Sequence, residues 1–238
     1  MKLNELKTIT PKDLTPKQYN VGREAVVKKL MPKNAQQLGI NGLYGSAYHN
    51  PDDPGTVTKV VRAVDDYEKD AYFKYVSALA KNDRISNNPF FPRIYKIQVT
   101  KDNEGRNMYS VEMETLLDFG TLSSEECNMI GERLFFNYAG FERDALARAK
   151  EIASTERRKA ISTESNAKFA LLKAMGKCLE RPEQVATYIK DPKLKAALMI
   201  LQSLLKKNRN MASDIHEGNI MVRRGPGGPH LVITDPIC

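Results

Sequence analysis

This sequence is poor in the features that mark membrane, secreted and metal-cage proteins. It has no run of about 18 apolar residues, so no membrane-spanning helix is expected. Its start, Met1 to Thr10, alternates charged and apolar side chains and lacks the apolar core of a secretory signal. Only three cysteines occur, Cys127, Cys178 and Cys238, and none is spaced to share a metal with another. So sparse and odd a count is expected of a reduced, intracellular protein. There is no internal repeat, which excludes a solenoid.

Charge and a sufficient apolar fraction are what the chain does have. Of 238 residues, 41% are apolar and 28% charged, which argues against disorder along the whole chain. The length fits one large domain or a two-lobed one with a real core. The net charge is +8, and it is concentrated: residues 141–210 carry 16 Lys and Arg against 8 Asp and Glu, while the rest is balanced. Such a segment suits a solvated helical face, phosphate groups or an acidic protein partner. No aromatic ladder accompanies it, so nucleic acid is not expected as the primary ligand.

Hydrophobic patterning divides the chain into three zones. Residues 1–35 are polar and basic, with Pro11, Pro16 and Pro32 bounding a candidate helix over Lys17–Leu30. Residues 36–118 read as sheet with one helix. Thr56–Val61 is a β-branched run after Pro54-Gly55, and Asp65–Ala80 has helical spacing with Tyr72, Val76 and Leu79 on one side. Arg93–Val99 and Tyr109–Met113 flank the turn residues Asn103-Glu104-Gly105 and predict a hairpin. Residues 119–211 are rich in Ala, Leu, Lys and Glu, with Leu194, Leu198, Leu201 and Leu205 forming one helical stripe. Finally, Asn219–Val222 and Leu231–Ile233 flank Gly225-Pro226-Gly227-Gly228 and predict a closing hairpin.

The polar residues fit the demands of phosphoryl transfer, which needs a phosphate cradle, a Lys, oxygen ligands for a metal and a carboxylate beside the nucleophile. Gly39, Gly42 and Gly45 surround Tyr44 in a candidate phosphate loop, where missing Cβ atoms allow close backbone approach. The other reading of that stretch is a plain hairpin turn. Lys59 interrupts an apolar strand and must face a pocket, a partner or solvent. Glu68 is the candidate carboxylate to pair with it, and Asp70 competes for that place. Asp214 and Asn219 stand five apart, the spacing of a catalytic loop with Asp as base and Asn as metal ligand. A hairpin starting at Asn219 and ending at Asp235 brings two hard oxygen donors to one end, which suits Mg²⁺.

These motifs resemble the protein-kinase-like fold. Asp214-Ile215-His216-Glu217-Gly218-Asn219 resembles the Asp-Leu-His-Pro-Gly-Asn loop of aminoglycoside-type kinases. Ser46-Ala47-Tyr48, Lys59-Val60, His216 to Met221 and Ile233-Thr234-Asp235-Pro236 together resemble the early seryl/threonyl protein kinases of T-seven-type bacteriophages. The resemblance covers roughly residues 36–238, with a variable helical middle.

It implies an α+β, two-lobed fold: an N-terminal helical extension over 1–35, a small, mostly β N-lobe over 36–118, and a helical C-lobe over 119–238 that ends three residues past Asp235. It implies ATP and Mg²⁺ as cofactors. Gly42, Tyr44 and Gly45 would cover the phosphates, Lys59 would grip them, and Glu68 would pair with Lys59. Glu112, Met113 and Glu114 would reach the adenine through backbone groups. Asn219 and Asp235 would hold the metal, and Asp214 would take the hydroxyl proton. His216 would brace the loop or serve as an ordinary structural residue. The implied partners are host proteins phosphorylated early in infection in the bacterial cytoplasm, transcription and translation machinery included, with RNA polymerase a candidate. A C-terminal region tied to host transcription shutoff is not expected. Two other readings remain open at this stage: a small-molecule phosphotransferase, against which the basic segment argues mildly, and a kinase-like module that only binds an acidic host protein.

Overall fold

A computed structural model describes residues 31, 34–38, 45–63, 66, 69–102, 105–140, 143, 163–180, 187–207 and 212–237. The candidate helix over Lys17–Leu30, most of the phosphate loop and Cys238 lie outside the described residues. The chain is α+β and divides into two compact units. One joins the described residues up to Ala80 with Arg93–Thr115; the other joins Lys81–Pro92 with those from Leu116 onward.

The first unit is an antiparallel sheet. Its strands are β1 (Gln36–Leu38), β2 (Gly45–His49), β3 (Thr56–Arg62), β4 (Ile94–Lys101) and β5 (Asn107–Glu114), in the order β1-β2-β3-β5-β4. β3 starts at Thr56 because Asp53 closes the preceding turn: its carbonyl accepts the Thr56 amide at 3.1 Å and its carboxylate the Gly55 amide at 3.3 Å. Asp102 closes the β4–β5 turn, where it accepts the Arg106 amide at 2.9 Å and the Arg106 Nε at 2.6 Å. Gly105 in that turn has φ 77°, a conformation that favours glycine.

The pleat sends alternate residues to opposite faces. Gly45, Val61 and Tyr109 share one register row, and Ala47, Lys59 and Val111 the next on the same face. Helix α1 (Ala71–Lys81) packs there, with Tyr72 stacked on Tyr109 at 6.4 Å and Tyr75, Val76 and Leu79 also buried. On the opposite face Tyr48, Val60 and Met108 form a second cluster, against which Met31 packs. The described helix begins at Ala71 rather than Asp65. Asp70 caps it by accepting the Phe73 amide at 2.9 Å, and it also accepts the Tyr109 hydroxyl at 2.7 Å.

The second unit claims Lys81–Pro92, a stretch that patterning had placed in the β-rich zone. Its backbone carbonyls explain the change. Arg223 donates to Pro89 O at 2.7 Å and Phe91 O at 3.0 Å, and the Ile233 amide donates to Phe90 O at 2.8 Å. Phe90 and Phe91 are buried. The short α2 (Asp83–Ser86) lies in this stretch, followed along the chain by α3 (Ser124–Leu134), α4 (Thr163–Glu180) and α5 (Pro192–Lys207). Ser123 and Glu126 form a capping box at the start of α3, and Glu126 also accepts Arg224 at 2.7 Å. The Arg224 hydrogen bond, followed by the Ser123 amide, holds the Glu126 carboxyl below its ordinary range.

Helix α4 packs on both α3 and α5. The leucine stripe of α5 turns inward as its spacing requires, with Leu194, Leu198 and Leu201 fully buried and Leu205 half-buried. Gln202 beside them is buried and donates to Cys178 O at 3.2 Å, so its amide nitrogen is satisfied. Cys127 and Cys178 are buried and in no disulfide, and burial pushes the Cys178 thiol up to about 11.

A three-stranded sheet completes this unit: β6 (Leu117–Asp118), β7 (Ile220–Gly225) and β8 (Gly228–Ile233). The closing hairpin is tighter than the four-residue linker expected. Gly225 pairs with Gly228 across a Pro226-Gly227 turn, and Gly228 takes φ 89°.

His230 on β8 pairs with Arg223. Burial, then the nearby Arg133 and Arg223 charges, lowers its pKa, with Lys193 acting the same way and Asp191 opposing. Protonation is therefore harder in the folded chain than in the unfolded one. The stability this neutral ring preserves is present above the unfolded value and is lost as pH falls below it. Denaturant unfolding at pH 5 and pH 8 is expected to show a pH-dependent loss that is smaller in His230→Gln; equal losses would exclude His230 as a source.

Candidate catalytic hairpin

The closing hairpin brings the strongest candidates together. β7 and β8 pair Ile220 with Ile233. One step beyond, Asn219 ends a 3-10 turn over Glu217–Asn219. Its carbonyl accepts the Thr234 amide at 2.9 Å and the Thr234 hydroxyl at 3.0 Å. Asp235 follows directly and is half-buried. The Asp214 amide donates to Pro236 O at 2.8 Å, and Ser213 bridges Ile237. Backbone hydrogen bonds to 234–237 thus anchor Asp214 and Asn219 on either side of Asp235.

The side chains add to that frame. Asn219 is 8% exposed, and its Nδ2 donates to Asp214 O at 2.8 Å and to Asp214 Oδ2 at 3.0 Å. With the amide nitrogen spent on Asp214, the carboxamide oxygen is the donor atom left for a hard cation. The Asp214 side chain is 39% exposed, so it is oriented through Oδ2 yet still reachable by an acceptor.

His216 caps the turn that carries Asn219. Its Nδ1 accepts the Gly218 amide at 3.1 Å, its carbonyl accepts the Asn219 amide at 3.0 Å, and its Nε2 lies 2.8 Å from Asn219 Nδ2. A Cβ on Gly218 would approach the imidazole Cε1 to 3.1 Å, so the glycine lets the ring sit down on the turn. Asn219 Oδ1 and the carboxylate oxygens of Asp235 are hard oxygen atoms of the kind Mg²⁺ takes, a cation that keeps waters and substrate phosphates among its ligands. Among the described residues no group of three or more His, Cys, Asp or Glu side chains is placed to hold a metal.

Lys59 belongs to the first unit. It is half-buried at the centre of β3, paired with Ala47 and Val111, and its Nζ lies 3.9 Å from the centroid of the Tyr72 ring. Gly45 sits one row away. A Cβ there would lie 3.3 Å from Lys59 Cε and 3.2 Å from Val60 O, so this glycine gives the Lys59 stem its room. Gly42, Tyr44 and Glu68 lie outside the described residues. Asp70, the other carboxylate considered for Lys59, serves as the α1 cap.

The stretch expected to reach the adenine is more occupied than its sequence suggests. β3 and β4 flank Glu112 and Met113 on both sides. The Glu114 and Thr115 amides donate to Arg93 O at 3.1 Å and Gly55 O at 2.9 Å, and the buried Glu114 carboxylate accepts the Arg93 amide at 2.9 Å. The ladder ends at Glu114 and the first unit at Thr115. Of the basic segment, Lys168 is used internally, donating to Gly120 O at 2.6 Å.

Comparison with known protein families and with curated proteins gives no match for this chain. Its functional reading therefore rests on its own residues. Among the described residues, no helix is long and apolar enough to cross a membrane.

Patterning missed two contributors. Thr234 secures Asn219 through both amide and hydroxyl, and a hydroxyl residue just before Asp235 was the visible signal. Tyr72 was read only as a core position. Its contact with Lys59 depends on how α1 lies over β3, which no local pattern encodes.

Proposed function

We propose that this chain is an ATP-dependent serine/threonine protein kinase. In this reading it is kinase-like in fold, is related to the early kinases of T-seven-type bacteriophages, and acts on host proteins in the bacterial cytoplasm, RNA polymerase among the candidates. The observation that carries the proposal is the hydrogen-bonded tie of Asp214 to Asn219, with both fixed to the segment around Asp235. The five-strand order of the first unit, with α1 between β3 and β4 in sequence, is compatible with it.

Each residue then has a task. Asp214, oriented through Oδ2, accepts the proton of the attacking hydroxyl as the new oxygen–phosphorus bond forms and the bond to ADP breaks. Lys59 steadies the non-transferred phosphates of ATP. Asn219 Oδ1 and the Asp235 carboxylate would hold Mg²⁺, which when bound would neutralise phosphate charge. His216 and Thr234 keep Asn219 in place. Most of the rate enhancement comes from positioning and charge neutralisation.

The test is phosphosite mass spectrometry of bacterial cells expressing the wild type or Asp214→Ala. New phosphoserine and phosphothreonine sites are expected with the wild type only. The same sites in both, or in neither, would refute the assignment.

A further inference from the structure

We propose that the turn end of the closing hairpin holds a phosphate group, with Arg133, Lys193 and His230 donating to its oxygens and Arg223 adding charge. The proposal does not depend on the kinase reading. Separate elements bring these residues together. Arg223 on β7 is the cross-strand partner of His230 on β8, so both side chains leave the same face of the hairpin. Arg133 on α3 reaches the residue before His230, its Nη2 donating to Pro229 O at 3.0 Å. The Leu134 carbonyl accepts the Lys190 amide at 2.8 Å and the Asp191 amide at 3.3 Å, which sets the start of α5 beside the end of α3. Lys193 O accepts Asn88 Nδ2 at 2.8 Å, one residue from the Pro89 carbonyl that holds Arg223.

The charges at this point do not balance. Burial, then Arg133 and Arg223, then Lys193 keep the His230 pKa low, and Asp191 opposes them. Three cations thus face one carboxylate. Asp191 Oδ1 is itself engaged, accepting the Lys193 and Leu194 amides at 2.8 and 2.9 Å. Like charges gathered this way repel, and an oxyanion among them relieves the repulsion. Donors remain for it: Pro229 O takes one N–H of Arg133, whose guanidinium carries five. Arg133 and Lys193 are exposed and His230 is half-buried, so an ion reaches them from solvent. A Cβ on Gly227 would stand 3.9 Å from His230 Nε2, so the bare glycine leaves room over that nitrogen. Charged donors from α3, α5 and β8 suit a tetrahedral oxyanion. An anion held there raises the His230 pKa, and by reciprocity it binds more tightly as the ring gains its proton.

The experiment follows the ring signals of the three histidines in the full chain by NMR at constant ionic strength. Sulfate is the first probe, because it stays a dianion between pH 5 and pH 8. The signal lost in His230→Gln identifies His230, and His49 of the first unit serves as the control. Sulfate is expected to raise the His230 pKa by about half a unit to one unit. It should bind about three- to tenfold more tightly at pH 5 than at pH 8. Lys193→Gln and Arg133→Gln, each checked for folding by denaturant unfolding, are expected to weaken sulfate about tenfold.

Inorganic phosphate and a phosphoserine peptide then replace sulfate, and the tighter of the two tells a free ion from a phosphorylated side chain. A His230 signal that moves no more with sulfate and phosphate than with chloride would overturn the site. So would sulfate affinity unchanged in both folded variants.

Discussion

Asp214→Ala is expected to reduce phosphate transfer from labelled ATP by about a hundred- to ten-thousandfold, the usual worth of a positioned proton acceptor. The same substitution should barely touch the fold. Asn219 Nδ2 has two acceptors on Asp214, the carbonyl at 2.8 Å and the carboxylate at 3.0 Å, and the alanine variant keeps the first. The Asp214 amide likewise keeps Pro236 O. The stability cost is therefore one partly exposed hydrogen bond, on the order of 1 kcal/mol. Asp235→Asn removes a charge while keeping an oxygen, and its loss should be about a hundred- to a thousandfold in kcat, with a steeper dependence on Mg²⁺ concentration. Activity and denaturant unfolding measured on the same preparations separate chemistry from folding. Transfer at wild-type rate in both folded variants would end the assignment of this hairpin as a catalytic centre.

The second large effect is on stability. Gly131 lies inside α3, where alanine ordinarily gains up to about 1 kcal/mol over glycine. Here the sign reverses. A Cβ on Gly131 would collide with Cζ and both Cε atoms of the Tyr138 ring, an approach that atoms do not tolerate. Nor is the ring the loose end of a flexible chain. Tyr138 is buried, it stacks on Phe135 at 6.4 Å, and its hydroxyl donates to Ala167 O at 3.4 Å on α4. Moving it disturbs the packing of α3 on α4. Overpacking of this kind costs about 1–3 kcal/mol and occasionally more, which exceeds the propensity gain. Gly131→Ala is thus expected to lower unfolding stability by about 2 kcal/mol net. Tyr138→Leu, by removing the ring, should make the second Gly131→Ala step far less costly, a coupling visible in a double-mutant cycle by denaturant unfolding. A Gly131→Ala protein more stable than wild type would show that Tyr138 can leave its site.

Kinetic and thermodynamic effects are expected to fall on different parts of the chain. The stretch from Asp214 to Asn219 is a short turn tied by local hydrogen bonds, so its side chains can change with little effect on folding. The α3–α4 contact is dry and close-packed, so one added methyl group is felt.

The sequence by itself determined the elements whose cause is local. The β-branched run at Thr56, the turn residues near Gly105 and Gly228, and the leucine spacing of α5 each favour one backbone geometry, and the strands and helix stand where those signals lie. That Asn219 and Asp235 lie just beyond the paired ends of β7 and β8 was legible for a similar reason: a hairpin puts its two ends side by side by geometry alone. Tertiary structure decided what depends on distant partners. Lys81–Pro92 joined the second unit because Arg223, more than a hundred residues away, captures its carbonyls. Asp70 became a cap because Tyr109 and Phe73 met it, and the Tyr72 ring came to 3.9 Å from Lys59 Nζ because α1 lies across β3. A residue's spacing fixes the face it turns outward from its own helix or strand, but the group that face meets is fixed only when the chain closes on itself.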